Sequence, residues 1–176
     1  MAHAVVRTDN MAATDVRGQL VSVKYMGANG STPTAIENGN VLKLGALVSG
    51  EREIFVGGAV AATDKIDDIV LIASPEVLYD EHKHNLDDFI NEAGAVCRGY
   101  HIHSGDIFSV TKDALTGTGT PAVGDIIELA AGTKLGFGKT ATETGTDGNK
   151  VTSTVIGRII AIDVAGTQTF YAIKIN

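Results

Sequence analysis

The residues best suited to chemistry are four histidines in two H-x-H pairs, His82 with His84 and His101 with His103. On a strand the second pair would point to one face, and a same-face carboxylate could complete a metal centre of the kind used by metal-dependent double-stranded β-helix enzymes. The residues after His103 are Ser104, Gly105, Asp106, Ile107 and Phe108, so the Glu that such a strand carries is missing and Asp106 falls at a turn. Asp80, Glu81 and Asp87 could join only through a fold that spacing does not reveal. No metal is expected. Asp64, Asp67 and Asp68 lack the D-x-[DN]-x-[DN]-G spacing that aims oxygens at one calcium ion, and read as a solvated face. Gly138-Lys139-Thr140 has the ending of a phosphate loop, but the glycine needed five positions earlier is displaced: position 133 is Thr and Gly132 lies one place off. Cys97 is the single cysteine, so no intrachain disulfide or C-x-x-C pair exists, and its setting in a strand pattern favours a small buried hydrophobe. No G-x-S-x-G elbow occurs. The expectation is a protein that is not an enzyme, with no catalytic residues and no cofactor.

Composition points the same way. The 176 residues carry a net charge of −7, and residues 64–92 hold nine acids against two bases while the remainder holds twelve of each. Binding to nucleic acid rests on phosphate neutralisation by Lys and Arg, so that partner class is excluded as an expectation. No run approaches the roughly 20 apolar residues of a membrane-spanning helix, and residues 1–10 lack the pattern of a signal peptide, so no membrane partner is expected. An apolar content of 44% can bury a core, and 21 glycines with no Trp suit short strands joined by tight turns.

The elements follow from periodicity. Residues 20–26, 40–48, 53–60 and 69–73 are short, rich in β-branched residues and bounded by Gly, Asp or Pro. Five more strands are predicted at 95–102, 106–110, 125–130, 154–163 and 169–175. One helix is predicted over 85–93, capped by Asn85 with Asp88 in the capping box, striped by Leu86, Phe89, Ile90 and Ala93, and ended by Gly94. The Gly/Thr tracts 116–121 and 136–149 read as loops. The expected architecture is mainly β: an N-terminal arm over 1–18, a β-rich region over 19–94 ending in the short helix, and a small β-barrel or sandwich over 95–176.

The runs AHAVVRTDNM, LVSVKYM, AIENGNVLKLGALVSGEREIF, IVLIASPEVLYDE, LDDFINEAGAVCRGY, HSGDIFSVTKDAL and VGDIIELAAGTKL together resemble the decoration, or cement, proteins of tailed-bacteriophage heads. In the C-terminal half, GDIIEL, VIGRIIAI and FYAIKI are similar to the small β-barrels of that family. The resemblance implies a virion structural protein made in the bacterial cytoplasm, bound to the major capsid protein on the outer surface of the expanded head, and reinforcing it without chemistry. A homo-oligomer, dimer or trimer, is expected because a capsid repeats its sites. No family site residues transfer. A physical argument supplies contact candidates, Val5, Arg7, Val21, Val23 and Tyr25, because an arm and an alternating strand can add to a partner's sheet edge. The readings weighed against this one are a metal-binding, cupin-like β-barrel enzyme and a carbohydrate-binding or adhesion module.

Overall fold

The computed structural model describes residues 3–7, 19–78, 86–144 and 151–176. It is mainly β, as expected. The strands are β1 (Val6–Arg7), β2 (Leu20–Tyr25), β3 (Val41–Leu47), β4 (Ile54–Gly58), β5 (Ile69–Ile72), β6 (Cys97–His101) and β7 (Ile107–Thr111). They continue as β8 (Leu115–Thr116), β9 (Ile126–Leu129), β10 (Leu135–Gly138), β11 (Glu143–Thr144), β12 (Val151–Thr152), β13 (Val155–Ala165) and β14 (Gln168–Ile175).

A closed barrel forms in the order β2-β4-β3-β5-β6, and a seven-stranded sheet runs β1-β7-β14-β13-β9-β10-β8. The closed barrel therefore lies in the N-terminal half, whereas the expectation placed a small β-barrel or sandwich over 95–176. The reason is β6. Cys97–His101 pairs with β2 on one side and with β5 on the other, which closes the ring, so the chain leaves the barrel only after His101. The division expected near Gly94 is a turn within the barrel, where Gly94 adopts φ +84°. At the other end, residues 3–7 of the expected arm are integral to the fold. Ala4, Val5 and Val6 are buried, Val6 pairs with Val110, and the Thr111 N–H donates to the Val5 carbonyl.

Strand β5 shows how the two parts share a core. Val70 and Ile72 point into the barrel with Val23, Ile36, Leu42 and Cys97, while Ile69 and Leu71 face outward and join Phe108, Ile127, Leu129, Ile159 and Ile173 of the sheet. A strand buried on both faces reads as an unbroken apolar run, which accounts for Ile-Val-Leu-Ile. Backbone bonds bind the two parts further: Val60 exchanges bonds with Gly132, and the Val41 N–H donates to the Thr133 carbonyl at 2.7 Å. The barrel is narrow, so its lining includes glycines. A Cβ on Gly57 would lie 2.6 Å from Val23 Cγ1 and 2.7 Å from Leu42 Cδ1.

Two local expectations need correction. The helix over 85–93 is absent from the described residues; only a 3-10 turn at Leu86–Asp88 forms, and Asn85, the intended cap, lies outside them. Asn91 is the cause: its N–H donates to the Ile36 carbonyl at 2.9 Å, and its own carbonyl accepts from Ile36 N–H at 2.9 Å. Groups spent on a β-bridge cannot serve a helical ladder. The tract 136–149 is also more than a loop, since Leu135–Gly138 is an interior strand pairing with both β9 and β8.

Candidate functional site

Of the two histidine pairs, His101 and His103 fall within the described residues. His101 ends β6 and His103 follows it, with ring centroids 6.4 Å apart. Burial, and then the neighbouring His103, hold His101 below the usual imidazole value. Asp106 turns back to accept the His103 N–H at 2.8 Å, so its carboxylate braces the turn into β7. Among the described residues, no group of three or more His, Cys, Asp or Glu side chains is placed to hold a metal. Asp80, Glu81, His82 and His84 lie outside those residues. Cys97 lines the barrel interior, and burial pushes its thiol up to about 11.

Of the remaining charged candidates, Lys139 and Asp64 belong to ion pairs that brace backbone turns. Lys139 pairs with Asp125, which also accepts the Ala122 N–H at 2.9 Å, so this lysine fastens the end of β10 to the start of β9. Asp64 accepts Lys43 at 2.5 Å and the Ala61 N–H at 2.8 Å. Asp67 and Asp68 sit in the turn Ile66–Asp68.

Glu128 was not legible as special in the sequence. It lies on β9 opposite Gly136, on the face away from the shared core, and lines a cavity of about 460 Å³ with Ala62, Thr116, Gly117, Ala130, Phe137, Thr142 and Ser153. The residue is 4% exposed. The carboxylate accepts the Thr142 hydroxyl, the Thr142 N–H at 2.8 Å and the Ser153 hydroxyl, which joins both ends of the segment 142–153 to the sheet. Gly136 makes room for it: a Cβ there would stand 2.8 Å from Glu128 Cγ. An acid at an alternating position of the Asp-Ile-Ile-Glu-Leu strand was the available signal; its glycine partner became visible only with the register.

Burial raises the Glu128 pKa, but the Ser153 and Thr142 donors outweigh it and hold the carboxyl below its ordinary value. A depressed folded-state value contributes stability that is present above the unfolded-state value, about 4.5, and is lost as pH falls through the folded value. Amide exchange at Thr142 and Ser153 is therefore expected to accelerate as pH is lowered below that range, after correction for the intrinsic rate. A Glu128→Gln variant should exchange faster at neutral pH and show less of the acid dependence. Equal protection in both proteins from pH 7 to pH 3 would remove this role.

Of the contact residues named from sequence, Val5 and Val23 lie in the core at 1% and 0% exposure, Val21 and Tyr25 are half-buried, and Arg7 follows Val6 in β1. The outward face of the same region carries what they do not. Leu20 and Ser22 on β2 alternate with the inward Val21 and Val23, and Ser22 pairs with Arg98 of β6, the strand that Val96 immediately precedes. With Ser74 and Pro75 they border a groove of about 310 Å³, and Leu20 and Val96 are 46% and 48% exposed. No family model, curated protein or solved structure matches this chain. The assignment of a role therefore rests on chemistry and geometry. A second exposed apolar feature is the β13–β14 hairpin, whose residues 160–167 are all exposed, among them Ile160, Ile162 and Val164.

Proposed function

We propose that this protein is a structural, non-enzymatic component that binds the outer surface of an expanded tailed-phage head and stabilises it through contact with the major capsid protein. The observation that carries the reading is the groove on the barrel: exposed Leu20 and Val96, bordered by Arg98 and Pro75, on the outside of a barrel whose interior is already filled. Apolar side chains on a rigid strand face are suited to burial against another protein. The buried carboxylates Asp125 and Glu128 support the same reading, because their hydrogen bonds go to this chain's own strands and turns. A net charge of −7 suits a position outside packaged DNA.

The test uses expanded heads that lack the protein. Wild-type protein is expected to co-sediment with them and raise their resistance to heat. Because Ala4 to Val6 are buried, removing residues 1–18 would cut into the core, so surface substitutions are the cleaner probe. Leu20→Asp combined with Val96→Asp should weaken binding by at least about tenfold, while Val123→Asp, at an exposed valine outside the groove, should leave it unchanged. Failure of the wild-type protein to bind heads would refute the capsid reading; equal binding by the double variant would refute the groove.

A further inference from the structure

We infer that the free edge of β13 is a self-association surface, on which two copies of this chain pair their strands antiparallel about a two-fold axis at Ile162. Strand β13 pairs with β9 only from Val155 to Arg158, with one further exchange at Ile159, while its pairing with β14 continues to Ala165. Among the described residues, nothing else pairs with the outer edge of residues 160–165. The hairpin closes through the two residues Gly166 and Thr167, with Gly166 at φ +62°. Such a turn directs the backbone groups of Ala165 and Gln168 toward each other, and alternation back along the strand then turns Asp163 and Ala161 inward and Val164 and Ile162 outward. The shift in register between Ile159 and Ala161 agrees, since the Ile159 N–H also points outward, to Asp125, at 2.9 Å.

That edge carries few of the features that keep edges apart. Proline and lysine are absent from residues 160–165, and Ile160, Ile162 and Val164 are 38%, 41% and 72% exposed. What selects a second copy as the occupant is the pattern around Ile162. The residues Ile160-Ala161-Ile162-Asp163-Val164 form a near-palindrome of apolar character. A two-fold axis at Ile162 sets Ile162 beside its own copy, Ile160 beside the other Val164, and Asp163 opposite the small Ala161. Moving the axis to Asp163 would set Asp163 against its own copy, a like-charge pair that disfavours the strand ladder, and moving it to Ala161 would bring in Ile159, whose outward backbone groups are already bonded to Asp125 and Gly124. The edge is thus self-complementary in one register, with outward donors and acceptors at its centre and apolar neighbours on both flanks.

The inference does not depend on the capsid reading, and its test uses the isolated full-length protein. Light scattering after size exclusion is expected to show the mass doubling as concentration rises. Ile162→Pro removes an outward N–H without removing an intrachain bond and should raise the dimer dissociation constant at least about tenfold, as should Ile162→Lys. Cysteine substitution reads the axis directly, since the native Cys97 is buried. Across the axis Ile162→Cys would bring two Cα atoms to about 5.5 Å, within disulfide reach, whereas Val164→Cys would leave them roughly 13 Å apart. Oxidation should cross-link the first variant and not the second. A monomer at every concentration, equal cross-linking of both variants, or a dimer indifferent to Ile162→Pro would each overturn the inference; the first would leave the edge to solvent or to an unlike partner.

Discussion

Gly157→Ala is expected to destabilise the protein by about 3 kcal/mol or more, or to prevent folding, although alanine adds a single methyl group. Gly157 pairs with Ile175 on one side and with Ile127 on the other, next to the irregularity between Val155 and Gly157. A Cβ at this position would lie 2.3 Å from the Lys174 carbonyl oxygen, 3.1 Å from its carbon and 3.2 Å from Ile175 Cα. These are backbone atoms. Lys174 is held on its far side by Ile107 of β7, so β14 cannot retreat without breaking a second ladder. The control is Gly58→Ala on β4, where a Cβ meets nothing within 4 Å. That change should move stability by no more than about 0.5 kcal/mol. Urea denaturation of the three proteins checks both statements, and a Gly157→Ala midpoint matching the wild type would show that the strands accommodate the methyl.

The second large effect is expected from Asn38→Ala, at about 3–5 kcal/mol. Asn38 is 1% exposed, and its side chain joins residues 74–76 and Asn91. Its amide nitrogen donates to the Ser74 carbonyl at 2.8 Å and to Glu76 Oε1 at 3.0 Å. Its oxygen accepts the Ser74 N–H at 3.0 Å and Asn91 Nδ2 at 3.1 Å. Truncation leaves the buried Ser74 backbone groups without these partners, and an unsatisfied buried group costs more than the bond it once made contributes. Asn91 belongs to the same network through its bond to the Ile36 carbonyl, so Asn91→Ala and Asn38→Ala should be strongly non-additive in a double-mutant cycle. Additive losses would mean that the two side chains act independently.

Both residues illustrate which information was local. Among the described residues, nine of the ten strands of four or more residues were legible because alternation or an unbroken apolar run marks a strand wherever it packs, as in Leu20–Tyr25 and Ile69–Ile72. Leu135–Gly138 was missed because glycine at two of its four positions reads as loop, although Leu135 and Phe137 keep the period of two and face the core. Those glycines lower strand preference, and one of them is needed by Glu128 across the ladder. The helix expected over 85–93 failed for the converse reason, since its cap and stripe were present but a bridge to Ile36 took the backbone of Asn91. A partner 55 residues away overrode a local preference.

By itself, then, the sequence determined the β class, the positions of most strands, the turns and the alternation that assigns side chains to faces, because each depends on neighbours within a few residues. It also carried the charge of −7 and the single cysteine. Only the tertiary structure decided which half closes into a barrel, that residues 4–6 enter the core, that Val5 and Val23 face inward while Leu20 and Val96 remain outside, and that Glu128, Asn38 and Gly157 are the critical polar and glycine positions. These depend on strand order and register between distant segments. A shift of one residue exchanges the two faces of a strand, and spacing along the chain contains no record of which register the packing selects.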